Sequence, residues 1–569
     1  MPLFFWKWSG MIKRNVVISE IVVVLIMATV TYVTSGLAPF LSLDDVGILD
    51  GISSTELNYP GLFFGGGGDY YRPLTFVSFI LDVNLFGYSA PAFHIVNLTF
   101  HTANALLVYY LTHLLISDEP TGNNRAPFIA ALLFALHPVN TEAVMWIAAR
   151  TDLLCCFFFL LALIVVFQRQ NIFRSALAIF MFALMSLLAK ESSVGLTGIL
   201  LVWYVSHYRE KHSRHMLWMT ISAGCATMVY LFMRTGMHMK TDTGVGKILS
   251  SGAAKPLWSL IYDSAAALGY YISKALYPFP LNFAIVTINK PVSVAIFICS
   301  LAALLILFVR LRLMRLPLLI FTVLLVPPVL ALHGKLPWTP YAERYLYLSM
   351  TGFAMVIGIA IGKLPYKTYL IAFALIALMS VPTMQRVALW GDPMKFWSDV
   401  MFKSPEFSRS YAGVACELLR EKKYDEAEKL LNKALEMGLN KDYAWQNLAI
   451  ARLGKGDLQG YESAMLKSAE LSGKPTQLYI GLIRTVSGKV HDEAGRRRII
   501  GYYVKAQERD PRYGDGLYNA AKEYLQLGET ENALFYFRKF VNSPGDSMYK
   551  PFAERFIKKL DTHTPEIVH

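Results

Sequence analysis

Charged side chains are scarce in this sequence: Asp, Glu, Lys and Arg make up 17% of the 569 residues, against 54% apolar residues. Soluble domains carry about 25% charged residues, so this composition excludes a protein built only of soluble globular domains. Apolar residues come in long runs up to about residue 390, whereas from Lys395 onward Lys, Glu and Ala recur at helical spacing. The change predicts a membrane domain over 1–390 and a separate domain over 395–569 outside the membrane.

Cysteine is also rare, and no nucleic-acid-binding motif is present. Four of the five cysteines lie in apolar runs, and none is spaced with histidine as zinc ligands are, which predicts neither a disulfide framework nor a zinc site. The net charge of +13 could suggest a nucleic-acid partner, but the charge lies largely in short clusters between apolar runs. We therefore interpret it as the positive bias of cytoplasmic membrane loops and predict no nucleic-acid partner.

The apolar runs predict about eleven membrane-spanning helices, because a span needs about 20 apolar residues. The first run follows a basic start and has no small-residue cleavage site after it, which predicts a retained span. Lys and Arg cluster in every second loop, placing the N-terminus in the cytoplasm and both the acidic loop 38–93 and the C-terminal domain on the opposite side. The segment 258–277 breaks this alternation and is predicted to be re-entrant or interfacial. The predicted spans begin near Val16, Ile95, Pro127, Leu153, Ser175, Val194, Met216, Pro291, Leu316, Tyr345 and Thr368.

The C-terminal domain repeats with a regular period. Tyr411, Trp445 and Tyr479 follow one another at intervals of 34 residues, and Leu517 comes 38 residues after Tyr479, as if four residues were inserted. Small residues fall where a tetratricopeptide unit packs its two helices together. Such units bury their apolar faces only by stacking. The pattern predicts an all-α solenoid of about four tetratricopeptide repeats, with an irregular helical bundle as the alternative.

Two adjacent carboxylates, Asp44 and Asp45, follow the first predicted span. A carboxylate at the membrane boundary is costly unless it is solvated, paired or used in chemistry. The boundary also raises proton affinity toward neutral pH, which suits a general base acting on an acceptor hydroxyl. The pair could hold a divalent cation, but no separated third carboxylate is visible, and no metal is expected.

Further charged residues mark the outer ends of the predicted spans. Arg150 and Asp152 open one span, where a mutual salt bridge is one interpretation of two costly charges. Arginines and a lysine converging on one outer face would suit a phosphate, which arginine binds in bidentate fashion. The candidate phosphate-binding residues are Arg72, Arg150, Lys190 and Arg344, and the candidate residues lining the site are His137, Glu142, Asp152 and Glu343. His94, Asn97 and His101 share one face of the second span, where polar packing between helices is the favoured interpretation.

Taken in order, these motifs resemble a known family. Leu43-Asp44-Asp45, Tyr71-Arg72-Pro73-Leu74, Phe93-His94-Ile95-Val96-Asn97, His137-Pro138 through Glu142, Arg150-Thr151-Asp152, Lys190-Glu191 and Glu343 through Leu348 precede the repeats. This order resembles the transmembrane and tetratricopeptide-repeat protein O-mannosyltransferases, members of the GT-C class of glycosyltransferases.

The resemblance implies a polyprenyl-phosphate-linked sugar as co-substrate, an inverting transfer to a protein hydroxyl and an active site at the outer leaflet. It implies that an acidic residue of the first outer loop is the catalytic base, which carries over to Asp44 or Asp45, with Asp44 preferred. Arg150 and Arg344 become donor-phosphate candidates, while His137, Glu142 and Lys190 line the site. The size of the chain suits a bacterial inner-membrane enzyme with its repeats in the periplasm, where they would recruit the protein acceptor.

Two other functions remain open at the level of sequence. A polysaccharide or O-antigen ligase or polymerase also joins lipid-linked glycans outside the membrane, but it predicts a large basic outer loop late in the chain. A membrane-anchored repeat scaffold needs one anchor, whereas this chain has many spans with charges at their outer ends. In this chain the largest outer loop is acidic and comes first. That loop and the many spans both favour the glycosyltransferase.

Overall fold

The computed structural model describes residues 11–41, 43–53, 62–63, 71–117, 125–168, 171–207, 213–235, 256–333, 339–362, 364–511, 513–544 and 547–561. These residues form helices and contain no strand, which confirms the all-α prediction. The chain divides into two compact units, Met1–Ser404 and Pro405–His569. Much of the predicted first outer loop, at 54–61 and 64–70, lies outside the described residues.

The membrane unit contains eighteen α-helices within the described residues. They are α1 (Met11–Tyr32), α2 (Asp44–Ser53), α3 (Pro73–Phe86), α4 (Ala90–Ile116), α5 (Ala126–Leu136), α6 (Thr141–Met145), α7 (Arg150–Phe167), α8 (Ile172–Ala189), α9 (Gly195–Ser206), α10 (Ser213–Thr235), α11 (Leu257–Leu276), α12 (Lys290–Arg310), α13 (Arg315–Val323), α14 (Val326–His333), α15 (Ser349–Gly362), α16 (Tyr366–Leu378), α17 (Ser380–Trp390) and α18 (Pro393–Lys403).

Seven helical segments in the described part of the chain are long and apolar enough to cross a membrane, or eight if α5 and the segment Pro138–Met145, bent by 49°, form one broken span. This is fewer than the eleven predicted, although each predicted segment is helical over most of its length. Helices α9 and α15 are too short to span by themselves, with 12 and 14 residues. The seven are Asn15–Gly36, Ile147–Phe167, Ile172–Ala189, Arg214–Arg234, Lys290–Arg310, Arg312–His333 and Lys367–Trp390.

Helix α5 forms the centre of the membrane unit, and all eleven of its residues are buried. Helix α15 packs directly on it through a glycine: a Cβ added at Gly358 would lie 2.6 Å from the carbonyl oxygen of Ala126. Small residues let membrane helices approach this closely. By contrast, α12 exposes large apolar side chains such as Ile298 and Val309, as expected for a helix that faces lipid. The predicted re-entrant segment is helix α11, which buries Ala267 and Tyr271 and exposes Trp258.

The C-terminal unit is a series of antiparallel helix pairs, as the period of 34 residues predicts. The third pair explains the longer interval before Leu517, because its second helix has 17 residues where those of the first two pairs have 13 and 14. One additional turn therefore accounts for the apparent insertion. The helices are α19 (Ser408–Arg420), α20 (Tyr424–Glu436), α21 (Asp442–Gly454), α22 (Leu458–Leu471), α23 (Pro475–Ser487), α24 (Glu493–Arg509), α25 (Asp515–Gln526), α26 (Thr530–Val541) and α27 (Lys550–Asp561).

Candidate active site

The two adjacent carboxylates of the first outer loop have different environments. Both lie in the first turn of α2, where the positive end of a helix dipole stabilises negative charge. Asp44 is exposed, whereas Asp45 is buried. The Asp45 carboxylate accepts hydrogen bonds from the backbone N–H groups of Leu41, at 3.2 Å, and Ala148, at 3.3 Å. Asp45 thus fastens the first outer loop to the start of α7, and Asp44 is left at the surface.

Burial raises the pKa of Asp45 to about 7. The hydrogen bonds from Leu41 and Ala148 oppose this shift, while the neighbouring charge of Asp44 adds to it. One carboxylate of the pair therefore exchanges its proton near neutral pH, as the sequence predicts. The perturbed group is Asp45, the second of the two.

Oppositely charged neighbours in the sequence pair with distant residues in the structure. The Arg150–Asp152 salt bridge considered from sequence is wrong: Arg150 Nη1 lies 2.5 Å from Asp82 Oδ2, and Asp152 Oδ1 lies 2.6 Å from Lys190 Nζ. Residues two apart on a helix point in different directions and do not meet. In the same way, Glu191 pairs with Arg72, a residue distant in sequence, and not with its neighbour Lys190.

Arg150 is fully buried at the start of α7. Its Nε donates to Asn97 Oδ1 at 2.7 Å, its Nη2 donates to the carbonyl of Phe93 at 3.0 Å, and the guanidinium stacks on Phe79 at 4.5 Å. Together with the Asp82 ion pair, these contacts engage the guanidinium on all sides. Such a geometry disfavours phosphate binding by Arg150 and favours a role in holding α3, α4 and α7 together.

Glu142 and Arg344 form a second buried pair, 202 residues apart in sequence. Glu142 accepts a hydrogen bond from Arg344 Nη1 at 2.5 Å and another from the Arg344 backbone N–H at 3.2 Å. The Arg344 guanidinium also lies over the rings of Trp146, at 4.7 Å, and Tyr345, at 4.8 Å. The pair therefore joins the segment 343–346 to the break after α5.

Next to this pair, Glu343 accepts from Lys274 Nζ at 3.2 Å and from the backbone N–H of Asn282 at 3.0 Å. His137 is fully buried at the end of α5, where its Nδ1 accepts from the backbone N–H of Val139 at 3.4 Å. Glu343 therefore lies beside the Glu142–Arg344 pair, whereas the hydrogen bond of His137 stays within its own turn.

A chain of contacts connects the acidic pair to two of the predicted cations. Asp45 binds the backbone of Ala148, two residues from Trp146, and Trp146 stacks under Arg344. Tyr345 in turn lies under both Arg344 and Lys190, with Lys190 Nζ 5.3 Å from its ring centre. The structure therefore brings the first outer loop, Arg344 and Lys190 into one neighbourhood.

Arg72 is the most accessible of the four predicted phosphate-binding residues, with 19% of its side chain exposed. Its Nη2 and Nε donate hydrogen bonds to the two carboxylate oxygens of Glu191, at 2.9 and 3.3 Å. Arg234 Nη1 lies 4.0 Å from the same carboxylate. Although burial opposes charge on Glu191, the two arginines lower its pKa to about 2. Arg234 was missed from the sequence, although an arginine at the outer end of a predicted span, against the positive-inside bias, was a usable signal.

The histidine face of α4 takes part in packing between helices. Asn97 binds Arg150, and His101 hydrogen-bonds through Nδ1 to Tyr347 Oη at 2.9 Å and through Nε2 to the carbonyl of Ala135 at 3.1 Å. Across the described part of the chain, no group of three His, Cys, Asp or Glu side chains is placed to bind a metal ion.

Comparison with known proteins connects the chain to one set of curated proteins. It is 37% identical over 161 residues to the protein O-mannosyl-transferase TMTC1 of Mus musculus, a match that covers 25% of this chain and 16% of that protein. It is 34% identical over 148 residues to TMTC4 of Homo sapiens, covering 23% and 20%, and 39% identical over 102 residues to F38B6.6 of Caenorhabditis elegans, covering 18% and 14%. No family model matches the chain.

Solved structures give weaker likenesses. ArnT from Cupriavidus metallidurans, bound to undecaprenyl phosphate, aligns with 84% of this chain and 81% of its own at 12% identity and a TM-score of 0.35. The tetratricopeptide protein YrrB aligns with 33% of this chain and 91% of its own at 19% identity and a TM-score of 0.22. The matched segments span a fifth or less of the curated relatives named above. The resemblance predicted from the motifs is confirmed: the chain is an integral membrane protein similar in sequence to protein O-mannosyltransferases.

Proposed function

We propose that this protein is an integral-membrane glycosyltransferase, which moves a sugar from a polyprenyl-phosphate donor to a hydroxyl of a protein acceptor on the non-cytoplasmic side. The sugar is mannose or another hexose or pentose. The observation that carries the proposal is the attachment of Asp45 to the backbone of Ala148, because it sets the acidic pair beside Trp146 and Arg344. Sequence similarity to proteins named O-mannosyl-transferases supports the reaction class.

In this proposal Asp44 is the general base and Asp45 positions it. Asp44 is exposed and can meet an acceptor hydroxyl, whereas Asp45 is enclosed by the Leu41 and Ala148 N–H groups. As the acceptor oxygen bonds to the anomeric carbon, Asp44 takes the hydroxyl proton. The bond between that carbon and the phosphate oxygen breaks, its electron pair leaves with the lipid phosphate, and the configuration inverts.

The basic residues of this neighbourhood supply the positive charge that a leaving phosphate needs. Arg72 is the residue most open to a ligand, and Lys190 and Arg344 lie deeper, around Tyr345. Glu191 holds Arg72 in place and would have to share it with the donor. Arg150, enclosed by Asp82 and Asn97, positions these helices without touching the donor.

The C-terminal repeats would bind the protein acceptor on their concave surface, as stacked helix pairs commonly do. The loop charges support a non-cytoplasmic location for these repeats and for Asp44. In a bacterial cell the proposed reaction would take place at the periplasmic face of the inner membrane.

The test is transfer of radiolabelled sugar from polyprenyl phosphate by the purified full-length protein in detergent or nanodiscs, offered secreted proteins of the same cell as acceptors. We expect labelled protein with the wild type and a deficit of glycosylated secreted proteins in a deletion strain. Label appearing only in polysaccharide or lipid-linked glycan would favour a ligase or polymerase. Unchanged glycans of every kind in the deletion strain, with no transfer by the purified protein, would favour a scaffold.

A further inference from the structure

Arg386, which no sequence motif singled out, is a buried arginine whose guanidinium is only partly used by the protein. It lies in α17, at the end of the last candidate span, and is 4% exposed. Its Nη1 lies 3.3 Å from Asp399 Oδ2. Its Nε and Nη2 have no hydrogen-bond partner among the described residues.

The location of this guanidinium is set by its neighbour one turn earlier. The Thr383 hydroxyl donates to the carbonyl of Leu136 at 2.7 Å, which fastens α17 to the end of α5, where the chain bends. Residues three apart share a helix face, so Arg386 points toward the same region as Thr383. Helix α17 packs there against Pro138–Met145 and against the turn Val33–Leu37, which leads into the acidic pair.

The cationic side chains around Arg386 outnumber the carboxylates that pair with them by one. Asp399 is shared, since Lys403 Nζ also lies 2.7 Å from its Oδ1. Arg386 also acts electrostatically on the Glu142 carboxylate, which already binds Arg344. Arg386, Lys403 and Arg344 therefore share the two carboxylates of Asp399 and Glu142. Burying an uncompensated charge is costly, and so is leaving buried donors without acceptors.

The two unpartnered nitrogens have a geometry that selects a ligand. The N–H bonds of Nε and Nη2 run parallel on one edge of a guanidinium, the arrangement that grips two oxygens of one phosphate or carboxylate. The indole N–H of Trp390, one turn later in α17, is a second buried donor without an acceptor in the described chain. An uncharged sugar hydroxyl would leave the surplus charge in place, whereas a phosphate would neutralise it.

We propose that Arg386 binds a phosphate through Nε and Nη2, and that this phosphate is the head group of a polyprenyl-phosphate lipid. The lipid is favoured over free phosphate because Arg386 ends a membrane span, where a lipid head group meets the protein. The identity of the lipid rests on the proposed function; the oxyanion site rests on Arg386 and its surroundings.

The experiment measures binding, not turnover, by native mass spectrometry of the full-length protein titrated with undecaprenyl phosphate, undecaprenol or inorganic phosphate. Replacing Arg386 by Lys keeps the charge and the Asp399 contact but loses the parallel pair of donors. We expect Arg386→Lys and Arg386→Gln to weaken undecaprenyl phosphate binding by about tenfold or more and to leave undecaprenol binding unchanged. The control Arg310→Lys alters an exposed arginine at the end of another span, α12, and should bind as the wild type does.

A second variant separates ligand binding from internal pairing. Asp399→Asn removes the partner of Nη1 and leaves Nε and Nη2 intact, so undecaprenyl phosphate binding should be retained. If Asp399→Asn weakened binding as much as Arg386→Lys, Arg386 would act only within the protein and the proposal would be overturned. Unchanged phosphate-lipid affinity in folded Arg386→Lys would overturn it too, even if Arg386→Gln failed to fold.

The remaining outcomes identify the ligand and keep the two proposals distinct. One such outcome is that millimolar inorganic phosphate displaces undecaprenyl phosphate from the wild type but not from Arg386→Lys. That result would support an oxyanion site at Arg386 but contradict the proposal that its ligand is a lipid head group. Arg386-dependent binding of undecaprenyl phosphate without any sugar transfer would support this site while contradicting the proposed function. If the wild type transfers sugar and Arg386→Lys changes neither transfer nor undecaprenyl phosphate binding, the proposed function would be supported and the Arg386 site contradicted.

Discussion

At the scale of single residues, the burial of Asp45 has a measurable consequence for stability. Its pKa is about 7 in the folded protein, against 3.8 for an ordinary aspartate. The folded state therefore holds a proton that the unfolded state releases between pH 4 and 7, and stability falls as pH rises through this window. At pH above 7 the cost approaches about 4 kcal/mol, the limit set by the size of the shift.

The corresponding prediction compares the wild type with Asp45→Asn by thermal unfolding in detergent between pH 4 and 8. Asn cannot ionise, so the variant should lose most of the decline that the wild type shows between pH 4 and 7. Its oxygen can still accept one of the two backbone N–H bonds. Parallel curves for the two proteins would mean that Asp45 is not the group that titrates.

Asp44→Asn tests the catalytic assignment. General-base catalysis contributes about 10²–10⁴-fold, and turnover of sugar transfer should fall by that factor while donor binding is retained. The variant should also lower the pKa of Asp45, because it removes the neighbouring negative charge. Full activity in Asp44→Asn, with activity lost in Asp45→Asn, would exchange the two roles.

The sequence could place Asp44 and Asp45 at the end of the first span but could not tell which one is buried. The deciding contact is the backbone N–H of Ala148, 103 residues away. The same limit applies to Arg150 and Asp152, whose adjacency suggested a salt bridge that the structure replaces by two long-range pairs. Sequence patterns located the charges, and only tertiary packing assigned their partners.

At the scale of elements, the buried Glu142–Arg344 pair joins the break after α5 to the segment 343–346. Breaking a buried pair by neutralising one partner costs about 3–5 kcal/mol, since the other charge is left uncompensated. We expect Glu142→Gln to lower the free energy of unfolding by that amount, measured in mixed micelles with increasing denaturing detergent.

The matched control for this prediction is Glu493→Gln, which neutralises an ion pair of similar length, 2.8 Å to Arg497, with both side chains about half exposed or more. It should have no measurable effect, because solvent screens exposed pairs. Equal effects of the two substitutions would contradict a structural role for the buried pair.

Helix periodicity and apolar length predicted most elements, but not how many cross the membrane. The run 127–145 reads as one span, yet it bends by 49° after Leu136, where His137 and Pro138 interrupt the helix. The bend sets Glu142 beside Arg344, so the least regular part of this segment forms the candidate site. The period of 34 residues predicted the repeat helices more closely, because each pair depends on local sequence spacing.

At the scale of the whole molecule, the charge bias of the loops predicts the side of the membrane on which each unit lies. Lys522→Cys places a thiol at an exposed position of the repeats, and Leu311→Cys places one in a loop predicted to be cytoplasmic. In spheroplasts of a strain expressing a variant without native cysteines, an impermeant thiol reagent should label Lys522→Cys at once and Leu311→Cys only after permeabilisation. The opposite pattern would move Asp44 to the cytoplasmic side and contradict the proposed function.

The division of the chain after Ser404 allows the two units to be separated experimentally. If the repeats bind the acceptor, a protein ending at Ser404 should still bind undecaprenyl phosphate, because Arg72, Lys190, Arg344 and Arg386 are all retained. Transfer to the natural protein acceptor should fall, since the acceptor would have to find Asp44 from solution, without the high effective concentration that a tethered binding surface provides.

Two measurements decide between acceptor binding and a structural role for the repeats. The truncated protein is compared with the full chain for transfer to a short hydroxyl-bearing peptide and to the intact acceptor, after size-exclusion chromatography shows that both are folded. Loss of transfer to the intact acceptor, with transfer to the peptide preserved, is the expected result. Equal loss with both substrates would assign the repeats to assembly or stability, because damage to the catalytic unit lowers transfer to the peptide and to the intact acceptor alike.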